Sequence, residues 1–181
     1  MASVRAPHTD EAEELYRRYR ATALVAYRHI FPPELYPFPD DAVRATWEGL
    51  VHDHGRTHQL FVAEAAGEVV GAVVAKPGSL ENLFVVPSRW GTGIANALHA
   101  AAVEVSREAG LAQCRLEVLE ENRRARRFYE RHGWVEDGRS RAGEYPPYPR
   151  VIGYTLALRY PMGRAGLEPA TLGLKVPCST N

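Results

Sequence analysis

Two short stretches of this chain carry residue types and spacings suited to chemistry. The first is Trp90-Gly91-Thr92-Gly93-Ile94-Ala95. Two glycines stand ahead of a segment with Ile94, Leu98, Ala101, Ala102 and Val105 at helical spacing, which reads as a tight turn entering a helix. Such a turn leaves backbone N–H groups unpaired beside the positive end of the helix dipole, so it can receive an anion such as a phosphate or pyrophosphate. Taken alone it is a weak signal, because two glycines before a helix are as often only a turn. The second stretch runs from Asn122 to Trp134. Asn122 and Tyr129 lie seven residues apart, two helical turns, so their side chains project on one side, with the small Ala125 between them. A ligand could therefore approach that helix closely, while Phe128 points toward a core. His52, His54 and His58 suggest a metal at first sight, but no strong ligand motif surrounds them and the segment reads as a solvated loop. Cys114 falls in a strand pattern with no catalytic histidine near it, so it reads as inert.

The elements that must position these residues follow from periodicity and punctuation. Leu83 to Val86 is a strand in residue type, stopped by Pro87, which has no N–H for a ladder. Upstream, Val4 to Ala6 reads as a short strand. Asp10 with Glu13 resembles a capping box for a helix with Leu15, Tyr19, Ala23, Ala26 and Ile30 on one face. Phe31 to Pro39 holds four prolines and reads as a stiff aromatic loop. Asp40 or Asp41 is expected to cap a second helix, with Val43, Trp47, Leu50 and Val51 on its buried face. Leu60–Ala65 and Val69–Ala75 form a hairpin through Ala66-Gly67-Glu68, and Gly71 within it suggests a bulge or a close backbone approach. The helix after Gly93 is expected to run to about Ala109, with Gly110 just past its end. A strand over 112–119 and a short helix over 123–132 follow. Ser140 to Pro149 reads as a polar loop and 151–158 as a last strand.

Composition bounds the rest. With 181 residues, 45% apolar and 24% charged, the chain fits one globular domain over 1–158, and the aperiodic segment 159–181 reads as a tail outside the core. Lys plus Arg equals Asp plus Glu at 22 each, so the basic excess of a nucleic-acid binder is missing. No apolar run is long enough to span a bilayer, and the first residues lack a signal-peptide core; cytoplasm is the default localisation. Two cysteines make no disulfide framework.

The order Val118-x-x-x-Asn122-x-x-Ala125-x-x-Phe128-Tyr129, following a Val-x-Pro block and Trp-Gly-x-Gly-Ile-Ala, resembles the GCN5-related N-acetyltransferase (GNAT) superfamily over about residues 2 to 158. That resemblance implies an α+β fold in which a mixed, mostly antiparallel central sheet is flanked by helices and splayed between its fourth and fifth strands. It implies acetyl-CoA as co-substrate and no metal. Its pyrophosphate would lie on the turn formed by Arg89, Trp90, Gly91, Thr92, Gly93, Ile94 and Ala95, where Trp90 departs from the Arg or Gln common at that position. The pantetheine arm would pair with strand backbone along Leu83, Phe84, Val85 and Val86. Asn122 would bond the arm beside Ala125, and Tyr129 would lie near the sulfur. Arg123, Arg124, Arg126 and Arg127 read as a solvated face, one of which could meet the adenosine 3′-phosphate.

The implied reaction is direct attack of an amine on the acetyl thioester. An amine of pKa about 10.4 is almost wholly protonated at pH 7, so a base is needed. Glu81, at the start of the strand beside the cleft, is the candidate, and burial is expected to tune it. Tyr129 is expected to return a proton to the leaving thiolate in a downhill step. The acceptor would be a small-molecule amine or a peptide N-terminus, taken between the aromatic segments 31–40 and 145–149. A homodimer is possible in this superfamily. The alternative is a non-catalytic acyl-CoA-binding module, which would need Gly91, Gly93 and Asn122 but neither Tyr129 nor Glu81. Dinucleotide binding is a weaker alternative, because Asn96 stands where a third glycine belongs.

Overall fold

At the hairpin tip, Ala66 and Gly67 take positive φ values of 54° and 76°, the combination that matches the twist of the strands on either side. In the computed structural model, which describes residues 2–158, this turn joins β2 (Gln59–Ala65) to β3 (Glu68–Lys76). The short β1 (Ser3–Arg5) adds to the outer edge of β2, and β4 (Ser79–Val85) lies against β3 on the other side. Helices α1 (Ala12–Ala26) and α2 (Asp40–His52) fall between β1 and β2. After β4 come a 3-10 turn (Pro87–Arg89), α3 (Ile94–Glu108), β5 (Gln113–Leu119), α4 (Arg123–Arg131), β6 (Val135–Ala142) and β7 (Arg150–Ala157). The sheet order is β1-β2-β3-β4-β5-β7-β6, antiparallel throughout except where β4 meets β5. This is the mixed, mostly antiparallel architecture that the family resemblance implies. The 159–181 segment lies outside the described residues.

Each face of the sheet covers a separate core. On one face α3 packs Ile94, Leu98 and Ala102 against Val73, Val85 and Leu116. On the other, α1 and α2 pack Leu15 and Trp47 against Val62, Val74 and Phe84. Gly71 shows why a strand can require glycine: a Cβ there would sit 2.6 Å from the Phe84 carbonyl oxygen. The β2–β3 register also shifts beside it, between Ala63 and Glu64.

Several local expectations give way to longer-range partners. No side chain caps α1, because the Glu11 carboxylate takes two bonds from Arg5 and one from the His8 N–H, while Glu13 pairs with Arg17 and Arg44. The helix stops at Ala26, four residues short of Ile30, where the chain turns toward Pro32. Asp40 does not cap α2. Its carboxylate instead receives the Tyr16 hydroxyl and the Arg20 guanidinium, which ties the start of α2 to α1. The histidine segment is solvated at His52, Gly55, Arg56 and Thr57, but His58 is buried against the Leu50 carbonyl, and His54 Nδ1 accepts the Leu60 N–H. Among the described residues no group of three or more His, Cys, Asp or Glu is placed to hold a metal, and no helix is long and apolar enough to cross a membrane. The polar loop read from Ser140 begins too early, because β6 runs on to Ala142. Every one of its residues is exposed, so it carries no apolar alternation.

A buried histidine gives the fold a pH dependence. Trp134 Nε1 donates to His99 Nε2 at 2.8 Å, which requires the neutral ring. Burial first, then the nearby His132 and Arg107, lower the His99 pKa from 6.5 to about 4. The group's contribution to stability is therefore complete above about pH 6.5, the unfolded value, and is lost as pH falls from there toward 4. Between pH 7 and 5 this loss is expected to be about 2 kcal/mol by urea unfolding. His99→Gln keeps an acceptor but cannot titrate, and should lose about that much less over the same interval. An equal loss in both proteins would assign the pH dependence to other groups.

Candidate active site

The site begins where two strands stop pairing. β4 and β5 share only Ser79↔Arg115 and Leu80↔Leu116, then part toward their C-terminal ends. The gap opens into a cleft of about 1290 Å³, lined by both strands, by α1 and the 31–39 segment, and by Asn122, Ala125 and Tyr129 of the α4 region. Direction of the strand backbone follows from register. Val86 N donates to Val70 O at 2.9 Å, so Val86 and, two residues back, Phe84 direct their backbone groups at β3. Leu83 and Val85 are the alternate residues, and theirs face the splay. Of the four strand positions considered from sequence, only these two therefore offer backbone to a ligand. The Phe84 side chain is buried on the opposite face, against Trp47 and Tyr19.

At the far end of β4, Gly91 and Gly93 adopt φ values of 79° and 87°, which L side chains rarely take. A Cβ at either would meet nothing within 4 Å, so the requirement for glycine is conformational. The N–H groups of Gly91, Gly93, Ile94 and Ala95 donate to no other group among the described residues. Buried Ile94 and half-buried Ala95 anchor this first turn of α3 to the core, while the Thr92 hydroxyl donates to Arg89 O at 2.6 Å. The turn is thus a rigid array of free donors at a helix N-terminus, able to bind an anion.

Trp90, the departure noted in the sequence, has a defined role. Its indole N–H donates to Val85 O at 2.6 Å, and Arg124 of α4 stacks on its ring, 3.1 Å from the centroid. Trp90 thereby fastens the glycine turn to β4 and α4. It also occupies one acceptor of Val85, leaving the Val85 N–H and both backbone groups of Leu83 toward the cleft. Arg123, Arg124 and Arg127 are exposed, as a solvated face would be, although Arg124 also stacks on Trp90; Arg126 is half-buried. Arg126 donates to the Tyr154 hydroxyl at 3.0 Å and reaches Glu136. A pair of aromatic and cationic residues at 90 and 124 was the only sequence signal for this junction.

Asn122 is the N-cap of α4, its side chain accepting the Ala125 N–H at 3.2 Å. Tyr129 is 7% exposed, with its ring against Phe128 and Trp134 at centroid distances of 5.5 and 5.9 Å. Burial, then the neighbouring Tyr27, pushes its phenol well above the usual tyrosine range, so it stays protonated. Glu81 is the extra residue of a β-bulge: Val74 opposes Asn82 and Ala75 opposes Leu80, leaving Glu81 unpaired and turned toward the cleft. The expected burial is not there. The Glu81 side chain is 42% exposed, takes the Ser79 hydroxyl at 2.5 Å and lies 3.8 Å from Lys76 Nζ. Cys114 is buried under the Ser106 hydroxyl, and burial raises its thiol pKa. Sequence reasoning missed the wall facing Tyr129, where Tyr19 and Tyr27 of the α1 region line the cleft; burial raises both phenols.

Comparison with known proteins bears on this arrangement. The model described as the acetyltransferase (GNAT) family matches residues 11–134. Among solved structures, PaiA N-acetyltransferase from Thermoplasma acidophilum, in complex with coenzyme A, has a TM-score of 0.72 at 16% identity, covering 87% of this chain and 99% of that one. Ard1 from Thermoplasma volcanium has a TM-score of 0.66 at 21% identity, over 88% and 99%. The ribosomal-protein-S18-alanine N-acetyltransferase from Escherichia coli has a TM-score of 0.65 at 19% identity, over 93% and 99%. At such identities the shared property is the fold. A search of curated proteins finds no match. The family match takes in β4, the glycine turn, α3 and α4, the same elements that build the cleft, and it extends over more than half of the sequence: the chain belongs to the acetyltransferase (GNAT) family.

Proposed function

We propose that the protein transfers an acetyl group from acetyl-CoA to a primary amine by direct attack within a ternary complex. The observation that carries this reading is the splay itself. Free backbone groups at Leu83 and Val85 lie between an array of unpaired N–H donors at one end and Tyr129 and Glu81 at the other. A thioester with a pyrophosphate-bearing arm has the shape and chemistry to fill that run. The donors of Gly91 to Ala95 would hold the pyrophosphate and Leu83 and Val85 the amides of the arm, with Asn122 and Ala125 beside it. That a structure of the same fold was solved with coenzyme A supports the choice of ligand.

Acetyl-CoA supplies an activated acyl group and a thiolate leaving group; the protein must orient the amine, remove its proton and stabilise the sulfur. Tyr129 acts on the sulfur, but not by the downhill transfer expected from sequence. A phenol of pKa about 10 is a weaker acid than a thiol of about 8.5, and burial weakens it further. Full proton transfer is uphill by at least about 1.5 pK units against that reference. Tyr129 therefore serves as a hydrogen-bond donor to developing negative charge, the role that a proton held tightly on oxygen suits. Glu81, partly solvated on its bulge, accepts the amine proton through water.

Thiol release and product mass with acetyl-CoA and a panel of primary amines test the reaction. Tight CoA binding without acetylation of any amine would leave the non-catalytic reading in its place. In an active assay, Glu81→Gln should lower kcat/KM about a hundredfold at pH 7. What remains should rise about tenfold per pH unit, tracking the free-amine fraction. A profile superimposable on that of the unsubstituted enzyme removes Glu81 from the reaction.

A further inference from the structure

We propose that the amine acceptor also carries a carboxylate, and that Arg115 on the cleft floor binds it. This rests on the acetyltransferase reading above and names the class of acceptor for that site.

The floor is the exposed face of β5 and its neighbours. Arg115 stands opposite Ser79 of β4 and Thr155 of β7, and Glu117 opposite Gly153. Residues opposite one another across a ladder share a face, so Arg115 and Glu117 rise from the same surface beside the bulge that carries Glu81. Arg115 thus stands two strand positions before each of two carboxylates, Glu81 on β4 and Glu117 on β5, yet neither pairs with it. Glu117 takes Arg141 Nε at 2.8 Å, and Glu81 is engaged by Ser79 and Lys76. Arg139, the third cleft guanidinium beside Arg115 and Arg141, is held by Asp137. Gly153 leaves room for that pair: a Cβ there would lie 2.7 Å from Asp137 Oδ1. Among the described residues Arg115 has no ion-pair or side-chain hydrogen-bond partner, and within the cleft it alone presents a guanidinium in that condition. Glu144, across the cleft, likewise has no such partner among them.

The cleft therefore shows an available cation on its floor, on the same surface as the partly solvated Glu81, and an available anion across from it. That charge pattern complements a zwitterion, with carboxylate on Arg115 and amine toward the carboxylates, where it must lose its proton to react. A guanidinium matches a carboxylate by a two-pronged bond of fixed geometry, so the contact also fixes where the amine sits. The walls define the remainder of the acceptor. Tyr19, Tyr27, Phe31, Phe38 and Tyr145 surround the floor, which suits an amino acid with an apolar or aromatic side chain.

The test compares matched pairs differing only in the carboxylate: phenylalanine with 2-phenylethylamine, tyrosine with tyramine, and lysine with cadaverine. kcat/KM is measured with acetyl-CoA, and equilibrium binding of each compound to the CoA complex is measured alongside. The acids should exceed their decarboxylated partners at least tenfold, chiefly through KM. Arg115→Gln should bring that ratio near one, and Arg115→Lys should restore part of it. Because Arg115 is exposed, both variants should keep the melting temperature. Equal use of acids and amines, or a ratio untouched by Arg115→Gln, overturns the proposal while leaving the transferase reading intact. Arg115-dependent binding of the acids without acetylation does the reverse. Neither binding nor acetylation of the acids overturns the assignment of Arg115.

Discussion

Tyr129→Phe lowers kcat by about a hundredfold or more, while affinity for acetyl-CoA changes little. The substitution deletes one oxygen and keeps the ring. Contacts with Phe128 and Trp134 survive, the cleft keeps its shape, and the protein melts near its original temperature. What disappears is the one hydroxyl of α4 buried in the cleft wall, on a residue whose burial and nearness to Tyr27 hold the proton on oxygen. A donor so placed interacts weakly with a neutral thioester and strongly with a sulfur gaining charge, so its loss falls on the transition state rather than on ground-state binding. In kinetic terms kcat and kcat/KM should fall together. The measurement is steady-state kinetics beside calorimetric titration of the co-substrate. A kcat within twofold of the original excludes Tyr129 from stabilising the leaving group, and weakened titration with intact kcat would reassign it to binding.

How much of this site is legible in the sequence depends on whether local geometry or distant partners decide each residue. Gly91 and Gly93 are legible because positive φ is a local demand that almost no other residue meets. The Asn122, Ala125 and Tyr129 alignment is legible because helical spacing puts them on one side, and all three do line the cleft. The direction of the β4 backbone is not legible. It depends on which residue of β3 opposes which residue of β4, and that register excludes Phe84 and Val86 while selecting Leu83 and Val85. Glu81 illustrates both cases: its place at the mouth of the cleft follows from chain order, whereas its exposure follows from a bulge that no residue type announces.

The same division runs through the fold. Strands with one buried face, such as β5 with Cys114, Leu116 and Val118 turned inward, declare themselves by alternation. β6 has no buried face and is held by its ladder to β7, so polarity alone gave its last residues, from Ser140, to the loop that follows. Asp40 looked like a cap because caps are judged from the residues that follow. The group it binds lies twenty or more residues earlier, on α1. His58, in a segment read as a solvated loop, is buried and bonded to the Leu50 carbonyl at the end of α2, and His99 is buried against Trp134, 35 residues on.

Trp47→Ala is expected to carry the largest stability loss of any substitution outside the cleft, about 3–5 kcal/mol. Trp47 is 1% exposed and its ring meets both Tyr19 and Phe84 at centroid distances of 5.5 Å, while those two rings meet each other at 5.7 Å. Truncation therefore opens a cavity at the junction of α1, α2 and β4, and removes edge-to-face contacts as well as buried area. For a domain of this size the melting temperature should fall by roughly 6–20 °C. The functional consequence should be uneven. Tyr19 lines the acceptor side of the cleft, whereas the glycine turn is fixed from the other face by Ile94, Trp90 and Arg124. At a temperature where the variant remains folded, KM for the amine should rise several-fold more than the dissociation constant for acetyl-CoA. Trp47→Phe, which keeps an aromatic ring between Tyr19 and Phe84, should recover most of both losses. Equal weakening of amine and co-substrate would show that the two sides of the cleft are not mechanically separate, and that the aromatic triad supports the whole splay.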